Sequence, residues 1–430
     1  MATGEEQRVL IERVVGWVED HEGDVVADLQ ELVRVPSVSG TEEEHGIQHL
    51  LARRFADLGL EVDHWEVPLT DLASAPAFPG MEVERAQAWG LVAALRGRGG
   101  GPSLMLNAHV DVVPTGDLAR WPSGDPFDGR LEDGSVHGRG ACDMKGGLVA
   151  AIWAARALID LGVPLVGDLI LAAVQGEEDG GMGTFALLER GWRADACVIP
   201  EPTGLDIAPA NGGSLTFRLR VHGFAAHGSM RTAGVSAVEK FWPVFGALRD
   251  LEARRNAVAD PIMARWDVPY PIEVGAVRGG DWASSVPDIL VAEGRYGVAL
   301  GESVEAARAA LEAAVAEACD SDAWLCDHPV EIDWWGGVFA SSRLPEGSTL
   351  ADRACAAHAS VSDRPQQVWG APYGSDLRLM TELGGVPTIQ YGPGDPFLAH
   401  GPLEQVPVEE VLTAAKALAV LAIEHCGLST

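Results

Sequence analysis

Cysteine is sparse and unpaired: six residues, at 142, 197, 319, 326, 355 and 426, with no C-x-x-C spacing among them. Scattered thiols frame no disulfide scaffold, and the expectation is a reduced, cytoplasmic protein. No uninterrupted apolar run approaches the length of a membrane span. Met1 to Arg13 is charged throughout and lacks an apolar core, so no secretory leader is expected. Basic side chains are scarce, 31 Lys and Arg against 63 Asp and Glu, giving a net charge of -32. Nucleic acid and anionic membrane both require basic patches, so neither is an expected partner. Solenoid repeats and low-complexity linkers are missing too.

What is present is the composition of an ordinary globular protein, 47% hydrophobic and 22% charged over 430 residues, long enough for two domains. Apolar spacing predicts a helix over 5–34 and another over 41–58, then strands over 60–67, 89–96 and 104–109. Residues 68–88 and 112–140 lack a period and read as loops. Beyond them alternate a helix (147–161), a strand (168–173), a helix (183–189) and a strand (196–199), the order of an open α/β sheet with helices on both faces. From 212 to 336 the order becomes βαββαβ, which predicts a small inserted ferredoxin-like domain on a four-stranded antiparallel sheet. The first domain, 1–211, resumes over 337–430 and closes with a helix over 408–426.

Chemistry collects where these strands end. The stretch 104–111 is a buried strand running into His109-Val110-Asp111. Two residues apart on an extended chain point the same way, so Asp111 is expected to hold one ring nitrogen of His109 and leave the other for a metal. In isolation the same pattern also fits a satisfied strand-end histidine. Gly138-Arg139-Gly140-Ala141-Cys142-Asp143 lacks the Gly-Lys-Ser/Thr of a phosphate loop, and its glycines permit a tight backbone that delivers Asp143. Glu177 and Glu178 follow an apolar strand; adjacent side chains diverge, so one can bind metal while the other faces substrate. Glu201 is again a carboxylate at a strand end, between two prolines. His109, Asp143, Glu178 and Glu201 form an oxygen and nitrogen set suited to zinc, cobalt or manganese. His227 ends a strand-turn in the inserted domain.

Together, Leu106 to Pro114, Gly138 to Gly147, Glu177-Glu178-Asp179-Gly180-Gly181, Pro200-Glu201-Pro202-Thr203 and the late His400 stand in one order. That order resembles the dinuclear zinc amidohydrolases that include acetylornithine deacetylase, succinyl-diaminopimelate desuccinylase, aminoacylase and the glutamate carboxypeptidases. The acetylornithine deacetylase-like deacylases are the nearest in pattern. The resemblance implies two Zn(2+) ions, replaceable by Co(2+) or Mn(2+). Asp143 would bridge them, His109 and Glu201 would complete one site, and Glu178 and His400 the other. Asp111 would orient His109, Glu177 would be the general acid/base, and the Asp143–Met144 bond would be cis. His227 would reach the active site of the other subunit in a homodimer formed by the inserted domain. Arg295, Gly374, Ser375, Gly392 and Gly394 match positions that hold the substrate. Ser285 stands where many relatives carry Asn, which shortens the side chain and removes an amide pair. The implied reaction is hydrolysis of an N-acyl amino acid or related N-acyl amine. A dipeptidase or carboxypeptidase, or an N-formyl amine deformylase, shares the same motifs. A binding protein with a decayed site is disfavoured because every ligand position is filled.

Overall fold

The computed structural model describes residues 4 to 429; the first three residues of the charged N-terminal stretch lie outside the described residues. The chain divides into two compact units, Met1–Pro209 with Arg343–Trp369 and Asp376–Thr430, and Ala210–Ser342 with Gly370–Ser375.

The first unit is built on a mixed sheet. Seven of its nine strands are, in spatial order, Glu61–Glu66, Trp89–Leu95, Leu169–Val174, Leu104–His109, Ala196–Ile199, Thr388–Gln390 and Ile207–Asn211. The first two pairings are antiparallel, the next three parallel and the last antiparallel. Leu104–His109, Leu169–Val174 and Ala196–Ile199 are buried at every residue. A parallel strand buried on both faces reads as a continuous apolar run, as these do. Because the three lie side by side in one direction, their carboxyl ends share one edge of the sheet. Helix Gly146–Asp160 is apolar nearly all round and packs against the closing helix Val408–Cys426 inside the core.

Three details depart from the sequence expectations. The helix expected over 5–34 is two, Gly4–Asp20 and Glu22–Val33. The His21 ring stacks on Trp17 at 3.9 Å and its Nδ1 meets the Trp17 carbonyl at 2.7 Å, competing with the backbone N–H that would continue the helix. The loop expected over 68–88 contains the short helix Leu69–Ala73, and the one over 112–140 contains paired strands Leu131–Glu132 and Ser135–His137. Ser135–His137 pairs in turn with Gln405–Pro407, which ties the chain before Asp143 to the chain after His400. Finally, the strand Ile207–Asn211 had no sequence signal beyond its neighbours.

The second unit carries the expected four-stranded antiparallel sheet, ordered Ile272–Gly279, Ile289–Val298, Gly213–His222 and Glu331–Phe339. Leu215, Phe217, Leu219 and Val221 point into a core shared with helices Ala237–Asn256 and Val304–Asp320. Arg218 and Arg220 alternate with them on the opposite face, half-buried. Among the described residues no helix is long and apolar enough to cross a membrane. All six cysteines are free.

Candidate metal centre

His109 is the last residue of its strand and stands in register with Val174, so Glu177 and Glu178 emerge from the neighbouring strand beside it. Glu201 leaves the strand on the other side. The turn at Pro200 is pressed between two chains. A Cβ on Gly147 would fall 1.8 Å from the Pro200 carbonyl oxygen, and one on Gly392 2.3 Å from it. Glycine at 147 therefore lets the helix that follows Asp143 approach the Glu201 turn, and Gly392 serves the same closeness from the other side. Asp143 precedes that helix, and its bond to Met144 is cis.

Six of the sequence-expected residues converge. His109 Nε2 lies 3.1 Å from Asp143 Oδ1 and 3.8 Å from Glu201 Oε1. His400 Nε2 lies 3.3 Å from Asp143 Oδ2 and 3.1 Å from Glu178 Oε2. Glu177 groups with His109 and Glu201, its ligand atom within 4.8 Å of theirs. His109, Glu177 and Glu201 are buried, whereas the His400 side chain is 53% exposed and forms the open side. Two ligands on one tetrahedral ion at about 2.0–2.2 Å stand about 3.3 Å apart. The 3.1 and 3.3 Å separations match that figure, and the donors are all imidazole and carboxylate. The residues present fit a metal.

The charges point the same way. Burial pushes the Glu177 and Glu201 carboxyls well above the ordinary range, reinforced by Asp376 at Glu177 and by Asp143 at Glu201. Burial opposes charge on His109, yet Asp143, Glu201 and Asp111 raise its pKa well above the usual value. Glu178 and then Asp143 lift the half-exposed His400 to about 11, against its partial desolvation. Asp143 stays well below its usual value, because the two histidines outweigh its burial. So many carboxylates in a buried space are costly unless positive charge neutralises them.

Asp111 does not hold His109 as the spacing suggested. Its carboxylate oxygen is 3.8 Å from His109 Nδ1, beyond hydrogen-bond reach, while its backbone carbonyl is 2.9 Å away. Beyond the end of the strand at His109 the chain still pairs, Val110 with Val174 and Val112 with Val38, and the Asp111 carboxylate is drawn to other donors. A carbonyl only accepts, so Nδ1 carries the proton and Nε2 faces the ligands. The Asp111 carboxylate instead receives the backbone N–H groups of Glu177 and Glu178, each at 3.3 Å, and the Ser39 hydroxyl at 3.0 Å.

Sequence reasoning missed a second carboxylate of this kind. Glu404 Oε1 accepts from the N–H groups of Gly140 (2.8 Å), Cys142 (3.2 Å) and Asp143 (3.2 Å), and Oε2 pairs with Arg139. Arg139 also donates to the carbonyl of His400 at 3.1 Å. His400 has φ of +61°, a left-handed conformation that costs a non-glycine residue about 1 kcal/mol or more unless its surroundings hold it. Glu404 and Arg139 thus join the Asp143 loop to the His400 loop. Only proximity to His400 in sequence hinted at Glu404. Glu404→Gln should weaken metal binding about 10- to 100-fold in a chelator competition; unchanged affinity would remove Glu404 from this role.

The remaining candidates are not among these six residues. His227, Ser285, Arg295, Gly374 and Ser375 belong to the second unit. His227 and Ser285 face each other in the short ladder Ala226–His227 with Ser285–Val286. Arg295 is exposed, opposite Glu273 and Thr216 in register. Gly392 and Gly394 stay in the first unit, where the Gly392 N–H donates to Thr203 Oγ1 at 3.1 Å and the Gly394 N–H to Glu410 at 2.8 Å.

The model of Peptidase family M20/M25/M40 matches residues 105–424. Over 97% of its length the chain is 26% identical to the N-formyl-4-amino-5-aminomethyl-2-methylpyrimidine deformylase of Halalkalibacterium halodurans, of which 98% is covered. Over 60% of its length it is 36% identical to a succinyl-diaminopimelate desuccinylase of Methylobacterium nodulans, 61% of which is covered. Its fold matches the di-peptidase Dug1p from Saccharomyces cerevisiae with a TM-score of 0.76 at 14% identity, covering 97% of this chain and 98% of that one.

Proposed function

We propose, because the chain belongs to peptidase family M20/M25/M40, that it is a metal-dependent hydrolase of the amide C–N bond in a small N-acyl amine. The observation that carries this reading is the Asp143 carboxylate, with one oxygen toward His109 and the other toward His400. Such a carboxylate suits a pair of ions, one with His109 and Glu201, the other with Glu178 and His400. Zinc fits these donors best, with cobalt or manganese able to replace it. When bound, the ions lower the pKa of a water and polarise the amide carbonyl.

The rest of the chemistry belongs to side chains. Glu177 is buried, sits with the ligand group and accepts the proton of the attacking water. It then delivers that proton to the leaving amine nitrogen. Asp111 fixes the backbone from which Glu177 and Glu178 diverge. His227 is assigned to the tetrahedral oxyanion. Its Nδ1 accepts the N–H of Ser229 at 3.2 Å, which leaves the proton on Nε2 as a hydrogen-bond donor. We assign the homodimer to the edge strand Ile272–Gly279, which runs beside a groove lined by Val238, Phe241, Trp242, Phe245 and Val277. Trp242 is 62% exposed there, a large apolar surface that a second copy would cover.

Full-length similarity to the deformylase favours a short acyl group, formyl before succinyl. A panel of N-formyl, N-acetyl and N-succinyl amines and amino acids, with dipeptides, tests this in the presence of zinc or cobalt. Turnover of acyl amines above dipeptides is expected; the reverse order would make the protein a dipeptidase. The same panel tests Arg295, whose exposed planar guanidinium is assigned to a substrate carboxylate. Arg295→Ala should raise KM roughly tenfold for acyl amino acids and much less for acyl amines without a carboxylate. Equal effects on both would sink the assignment.

A further inference from the structure

Beyond the residues assigned to chemistry, a buried ion network encloses the turn that carries Glu177 and Glu178. Arg85 lies in the segment before the strand Trp89–Leu95, and its side chain is wholly buried. Its Nε and one terminal nitrogen fork onto Glu44, at 3.1 and 3.0 Å. Its other terminal nitrogen donates to Asp179 Oδ2 at 2.7 Å. Asp179 immediately follows Glu178, and the same Oδ2 accepts the N–H groups of Glu82 (3.2 Å) and Val83 (3.0 Å). Glu44 in turn accepts the Gly40 N–H at 2.8 Å. The preceding residue, Ser39, donates to Asp111, and Asp111 receives the N–H groups of Glu177 and Glu178. The path closes on itself: from the Glu177–Glu178 amides through Asp111, Ser39–Gly40, Glu44, Arg85 and Asp179 back to the same turn.

The geometry points to Arg85 as a positioning residue that acts on the reaction through Glu177. Two buried carboxylates share one guanidinium, so the network survives only while Arg85 holds both. A planar fork fixes direction as well as charge, which a lysine ammonium does not. Asp179 anchors the turn one residue beyond Glu178, and Asp111 anchors it at the two glutamates themselves. With both ends held, the backbone from which the Glu177 side chain leaves keeps one position. A displacement of about 1 Å at a reacting group costs on the order of 10²-fold in rate.

The inference rests on the reading of Glu177 as the proton carrier, and its test separates the two. Arg85→Ala strands two buried carboxylates and risks the fold, so the variants are Arg85→Lys and Asp179→Asn. Each is compared with the parent at equal metal content, checked by elemental analysis, on the most active amide of the substrate panel. The expected result is a fall in kcat of about 10- to 100-fold with KM within threefold. Combining Arg85→Lys with Glu177→Gln should slow the enzyme no further than Glu177→Gln alone, because the effect passes through that carboxylate. If Arg85→Lys and Asp179→Asn lower the melting temperature while kcat of the folded, metal-loaded protein is unchanged, Arg85 is structural only and the inference is overturned. A multiplicative loss in the double variant overturns it as well. If Glu177→Gln itself retains turnover, the proton-carrier reading fails, and that outcome is separate from either.

Discussion

Glu177→Gln is expected to retain its metals and lose about 10³- to 10⁴-fold in kcat. The substitution keeps the shape of the side chain and leaves the backbone N–H free to reach Asp111. It removes only the capacity to take and return a proton. Glu178, one residue on, faces His400 at 3.1 Å and is assigned to the metal, so it is not placed to substitute. The loss should appear in kcat and kcat/KM together, as expected for a contact made in the transition state. Gln also removes a buried carboxyl whose charge is opposed by burial and by Asp376, so the melting temperature should hold or rise. That separates lost chemistry from lost fold. Retained turnover with full metal content would remove Glu177 from the role.

The parts of this site that were legible in sequence share one feature. His109, Glu177, Glu178 and Glu201 each follow a short apolar run, and a buried parallel strand is such a run with its chemistry at the carboxyl end. Glycines marked the Asp143 loop for the same kind of reason, since a tight backbone leaves a trace in composition. Asp111 shows the limit. Spacing pointed to the correct neighbour but the wrong atom, because the Asp111 carboxylate is taken by the Glu177 and Glu178 amides and by Ser39, donors distant in sequence. Glu44 and Arg85 left no local trace, and Arg139 and Glu404 only their place beside Asp143 and His400. Arg139 and Glu404 are 265 residues apart in the chain, and Arg85 and Asp179 are 94 apart. Nothing periodic or compositional links such pairs; only the folded sheet brings them together. Helix boundaries failed for a similar reason at His21, where a side chain competes for a carbonyl that apolar periodicity cannot see.

Mixing two inactive variants is expected to restore activity if the active site is completed by a neighbouring subunit. His227 belongs to the unit with the antiparallel sheet, whereas all the assigned metal ligands and Glu177 belong to the other. Its ring is set up to donate a single hydrogen bond, because Nδ1 is occupied by the Ser229 N–H and Nε2 is left as a donor on an exposed side chain. In a two-fold dimer the exchange is reciprocal, so each subunit would lend its His227 and receive one. His227→Ala and Glu177→Ala should each be nearly inactive. When the two are mixed, dissociated and allowed to pair again, a heterodimer contains one protomer with intact Glu177 facing a neighbour with intact His227. Its other site lacks both. With random pairing about half the dimers are mixed, so about a quarter of all sites should recover. Recovery should require dissociation, and mixing without it should leave the solution inactive. If His227 serves its own subunit, every protomer lacks one of the two residues, and no pairing restores activity.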